Sequence, residues 1–92
     1  MRVQEFHASR ESRWQGALLA LWWAVRGDWQ RAHETAQEVE GRDGAWVHAM
    51  LHRQEGDLSN AGYWYRRAGR PMPSCTIDEE RELLSAELLG RL

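Results

Sequence analysis

The sequence predicts an all-α domain of about five antiparallel helices: two helical hairpins followed by a C-terminal covering helix. Three observations carry this. Apolar residues recur at helical spacing in successive blocks, Gly-Asp pairs at 27–28 and 56–57 punctuate those blocks, and Pro71 and Pro73 separate the last block from the rest. Ninety-two residues suffice for one core and leave no room for a second domain. Six tryptophans supply large amphipathic side chains that let so short a chain bury a substantial apolar surface.

In chain order, the mixed, polar residues 1–9 read as a flexible N-terminus. The first hairpin then spans 10–40. Ser9 or Ser12 is placed to cap a first helix that runs through Trp14 and the block ALLALWWAV to about Arg26. That helix is apolar nearly all round, so it reads as the central helix, with Trp23 in the core touching both hairpins. Asp28 caps a second helix, whose Trp29, Ala32, His33, Ala36 and Val39 form one stripe. The GRDG segment, 41–44, breaks it.

The second hairpin spans 43–69. Its first helix runs to about Glu55, and its second, capped by Asp57 or Ser59, ends at Gly69 in a C-cap. A proline-containing loop, 70–76, follows, since neither proline continues a helix. Thr76 or Asp78 caps the last helix, 77–92, where Glu79, Glu80 and Glu82 suit the positive end of the helix dipole. Leu83, Leu84, Leu88, Leu89 and Leu92 give it an apolar face, expected to cover the second hairpin.

Shifting the chain by 29 positions superimposes Gly27-Asp28-Trp29 on Gly56-Asp57-Leu58, Ala20 on Ala49 and Ala32 on Ala61. The small and aromatic positions of the first unit read Gly16, Leu19, Ala20, Trp23, Ala32, Ala36 and Gly44; those of the second read Ala45, His48, Ala49, His52, Ala61, Tyr65 and Pro73. With these spacings residues 16 to 73 resemble the tetratricopeptide-repeat family, in a degenerate form whose period is shorter than that family's usual length of about 34 residues. The resemblance implies peptide or ligand binding in the groove made by successive first helices. It turns Trp46, Met50 and Arg53 toward that groove, and Tyr63 joins them as a candidate ligand-binding residue. It also implies apolar or aromatic residues where this chain has His48 and His52, and a buried imidazole without a partner costs free energy.

His48 and His52 lie four apart, on one helix face, with about 6 Å between their Cβ atoms. Two neutral imidazoles at this spacing can hold one metal ion, as in helical HExxH motifs, with Glu55 or His33 as a third ligand. Ala49 stands where the metalloprotease motif carries its general base, which excludes that mechanism. Read blandly, each histidine is a packing residue whose nitrogens meet a tyrosine hydroxyl, a carboxylate or a carbonyl. As acid-base groups, the three histidines would need Glu55, Asp57, Tyr63 or Tyr65 to fix their tautomers. No nucleophile elbow or glycine-rich phosphate loop accompanies them.

A formal net charge of −2 gives no global basic field, which argues against nucleic-acid or anionic-membrane binding. Tyr63, Trp64, Tyr65, Arg66, Arg67 and Arg70 combine aromatic with basic residues, but arginines also favour a helix C-terminus. Glu38, Glu40 and Asp78 to Glu80 read as solvated or helix-end charges. The lone cysteine, Cys75, and His7 fall in segments expected to be flexible and are assigned no role. One cysteine, no apolar leader and no apolar run long enough to span a bilayer make the cytoplasm the default location. The leading expectation is a small non-catalytic module for protein or small-molecule binding, with no cofactor, and with enough tryptophan for a homodimer to bury an apolar patch. The alternative is a site for Zn, Cu or Ni, or a histidine-dependent enzyme, centred on His48 and His52.

Overall fold

The computed structural model describes residues 2–92, and its elements are all helical. They are α1 (Val3–His7), a 3₁₀ turn (Glu11–Arg13), α2 (Ala17–Val25), α3 (Trp29–Gln37), α4 (Arg42–Gln54), α5 (Leu58–Ala68) and α6 (Ile77–Leu89). α2 and α3 form one hairpin and α4 and α5 a second, and the same turn closes both. At the first turn Gly27 has φ 78° and Asp28 N–H donates to Trp23 O; at the second Gly56 has φ 87° and Asp57 N–H donates to His52 O. Both bonds satisfy carbonyls that a helix end would otherwise leave open, and glycine takes the left-handed backbone at no steric cost. Asp28 and Asp57 then accept from the backbone N–H of Arg31 and Asn60, capping the return helices. Ala20, Ala49, Ala32 and Ala61 are fully buried where the hairpin helices approach one another.

The central helix is α4 rather than α2. Every residue from Gly44 to His52 is buried, and α4 packs against α2, α3, α5 and α6. Gly44 lies inside this helix, not in a break, and its missing side chain makes room for Val39: a Cβ there would stand 2.6 Å from Val39 Cγ1. Trp23, expected in the core, is only half-buried; Trp22 takes the buried position, its indole N–H donating to Ser9 O at 3.0 Å.

The N-terminal expectation also gives way. Residues 3–7 form α1, with Phe6 fully buried and edge-on to Trp14. Ser9 caps no helix: its hydroxyl donates to Phe6 O and accepts from the Trp14 indole, each at 2.6 Å. Trp14 therefore precedes α2, which starts after Gly16 at φ 67°.

α6 begins with a capping box, Thr76 with Glu79, and lies across α1, α2 and α4. It covers the first helices of both hairpins instead of lying along the second hairpin alone. Leu84, Leu88 and Leu89 are buried, whereas Leu83 and Leu92 face solvent. Among the described residues, no helix is long and apolar enough to cross a membrane.

Candidate metal centre

Three helices bring the site together. The Asp28 cap fixes where α3 starts, which places Trp29 and His33 one turn apart with their rings stacked at 4.6 Å. The Trp29 indole N–H donates to Leu51 O at 2.9 Å, tying α3 to α4. On α4, His48 and His52 stack on each other at 4.9 Å, and Trp64 from α5 stacks on the far side of His48 at 3.9 Å. The three imidazoles thus meet between the hairpins, flanked by two indole rings.

His33 Nε2 and His48 Nε2 are 3.1 Å apart, and one ligand atom from each of His33, His48 and His52 lies within 4.8 Å of the others. His48 and His52 are buried and His33 is half-buried. Two imidazole nitrogens on a tetrahedral ion, each about 2.05 Å from it, stand about 3.3 Å from one another. The His33–His48 spacing is close to that distance.

His52 Nδ1 lies 2.9 Å from Glu55 Oε1, so in the neutral ring the carboxylate favours the proton on Nδ1 and the lone pair on Nε2. Glu55 therefore stands at His52 Nδ1 and is not among the three residues, His33, His48 and His52, whose ligand atoms converge. A second group, His52 with Glu55 and Asp57, also brings ligand atoms together, but Asp57 accepts from both the backbone and the side-chain N–H of Asn60.

Burial, reinforced by His33 and His52, pushes the His48 pKa down to about 4. That of His33 is lowered too, first by burial and then by His52, against the opposing pull of Glu55 and Glu34. Both rings are therefore neutral near pH 7, the form in which imidazole binds metals. His48 Nδ1 is buried with no hydrogen-bond partner. Of the partners expected for packing histidines, a carboxylate reaches His52, and His48 meets only another imidazole.

The proposed ligand-binding face is a separate region. Trp46, Met50 and Arg53 share one face of α4, which α6 covers: Met50 is fully buried and Trp46 nearly so. Arg53 donates through Nε and Nη2 to Glu80 Oε1, at 3.1 and 2.9 Å, and through Nη1 to Cys75 O. Tyr63 stands apart from them, exposed, with its hydroxyl accepting from Arg67. Glu80, read from sequence as a helix-end charge, is 1% exposed, and its Oε2 accepts from the Trp46 indole at 3.2 Å and the Tyr65 hydroxyl at 2.6 Å. Its four-residue spacing to Leu84 and Leu88 was the signal that it points inward.

Much of the aromatic and basic stretch from Tyr63 to Arg70 is engaged internally. Arg67 sits over the Tyr63 and Trp64 rings, and Arg70 sits over Trp46 and pairs with Glu87. His7 is half-buried, 3.9 Å from Glu82.

No family model, curated protein or solved structure matches the chain.

Proposed function

We propose that this chain is a small tetratricopeptide-like helical module whose working site is the histidine cluster, and that His33, His48 and His52 together hold one divalent transition-metal ion. The observation that carries this reading is the 3.1 Å approach of His33 Nε2 to His48 Nε2 beside the third imidazole, in a largely buried setting. The contact is a hydrogen bond between the two rings, and it leaves His48 Nδ1 buried without a partner. Leucine and phenylalanine at positions 48 and 52 would fill the same space without an unpaired buried nitrogen. Imidazole donors with no thiolate suit Zn²⁺, Cu²⁺ or Ni²⁺.

Titration calorimetry and elemental analysis with these three ions test the proposal. One ion per chain, bound with micromolar affinity or tighter, is expected for the native protein and for none of His33→Ala, His48→Leu or the pair His48→Leu with His52→Phe. At one hundred times Kd the ion stabilises the native fold by about 2.7 kcal/mol. Absence of binding to the native chain would defeat the reading. Because the paired variant removes polar groups in favour of apolar ones of similar size, it keeps its metal-free stability or gains some.

A second reading, a protein- or ligand-binding module, has one observation in its favour: the face carrying Trp46, Met50 and Arg53 already accommodates an amphipathic helix, α6. A crevice of about 180 Å³ remains there, lined by Trp46, Tyr65, Pro71, Pro73 and Leu83 among others. An external helix would have to displace α6 and break the Arg53–Glu80 pair.

A further inference from the structure

The number of ligands the chain can offer an ion in the histidine cluster is set by what surrounds it. Glu55 is committed to His52 Nδ1, and both carboxylate oxygens of Asp57 are committed to Asn60. Glu34, one residue from His33, accepts from Gln30 on the outer face of α3. The flanking rings of Trp29 and Trp64 bring no lone pair suited to a metal, and the Trp29 N–H is held by Leu51 O. Cys75, the lone thiol, lies on the α6 side of α4, where its carbonyl accepts from Arg53. Among the described residues, the cluster therefore has three nitrogen donors and no free fourth. Solvent reaches the cluster at His33, which is half-buried, and at Glu55, whose side chain is 39% exposed.

From this we infer that the ion, once held as proposed above, keeps one coordination position open to a small exogenous ligand, either water or a monodentate anion, with Glu55 as the positioning residue that aims His52 Nε2 at the ion. This inference rests on the metal-binding reading and adds to it a binding site for a ligand from outside the chain. A saturated four-ligand site is structural, whereas three protein ligands and an open position are the arrangement from which a metal can act on a bound molecule. A carboxylate behind a ligating histidine fixes its tautomer and raises its basicity, and losing such a carboxylate weakens metal binding about 10- to 100-fold.

Cobalt(II), whose visible spectrum reports coordination number and ligand exchange, is the probe, and sodium azide is the exogenous anion. The native protein should take up one Co²⁺ with an intense four-coordinate spectrum, and azide should shift that spectrum saturably. Glu55→Gln should bind Co²⁺ about 10- to 100-fold more weakly, yet give the same spectrum and the same azide response once loaded. If Co²⁺ binds and azide leaves the spectrum unmoved, the open position does not exist. If Glu55→Gln alters the native spectrum itself, Glu55 is a ligand and not a positioning residue. In both cases the metal-binding reading survives while this inference is overturned. If no Co²⁺ binds under conditions where circular dichroism shows the fold intact, both fall together.

Discussion

Two polar clusters sit on opposite faces of α4, and they are built on opposite terms. Under α6, each oxygen of Glu80 is filled: Oε1 by two N–H groups of Arg53, Oε2 by Trp46 and Tyr65. That set is closed, so a buried charge is tolerated because every lone pair has a donor. Between the hairpins, His33 and His48 meet nitrogen to nitrogen, His48 Nδ1 meets nothing, and only His52 has a carboxylate. A closed buried network is scaffold. An open one, in a chain that could have packed carbon there, supports the proposed metal site.

The largest effect expected from this contrast is on the closed cluster. Glu80→Ala leaves the Arg53 guanidinium and the Tyr65 hydroxyl buried without their acceptor, and should cost about 3 to 5 kcal/mol in urea denaturation at pH 7. Replacing the pair together, Glu80→Leu with Arg53→Met, should recover most of that loss, since buried ion pairs are often matched by apolar residues of similar volume. A cost below about 1 kcal/mol for the single change would show that the two clusters are not different in kind.

The open cluster should respond to protons instead. The folded-state pKa of His48, about 4, lies below its unfolded value of 6.5, so the unfolded chain binds the proton more readily. Its contribution to stability is complete above about pH 6.5, declines as the pH falls toward 4 and levels off below that. Without metal, the total loss is on the order of 3 kcal/mol, from the shift of roughly 1.4 kcal/mol per pH unit. His48→Leu should flatten this part of the stability profile. An unchanged acid limb in that variant would place the titrating group elsewhere.

The two clusters also differ in how far the sequence revealed them. Local signals read correctly because their physics is local: Asp28, Asp57, Gly69 and Thr76 cap or end helices as their side chains and backbone freedom dictate. The His48–His52 pair was legible from its four-residue spacing, and His33 could be nominated because it lies on the apolar stripe of the preceding helix. The contributions of Trp29 and Trp64 depend on how α3 and α5 cross α4, which no spacing within one helix reports. Glu80 was misread because acidic residues in a first turn have a sufficient local explanation, and that explanation masked its place in line with Leu84 and Leu88. Phe6 was missed for a related reason: one aromatic residue in a short polar stretch makes no periodic pattern, although α2 and α6 together enclose it.

The most direct test of the central claim, that the open cluster is a metal centre, is X-ray absorption at the zinc edge of the protein loaded with one Zn²⁺ per chain. Three imidazole nitrogens at about 2.0 to 2.1 Å with the multiple-scattering pattern of histidine rings are expected, plus one further light ligand, with the imidazole signal lost in the His48→Leu, His52→Phe protein. A shell of five or six oxygen-like ligands without imidazole scattering would contradict that claim, because zinc would then be held by surface carboxylates and water, and the three histidines would be packing residues after all.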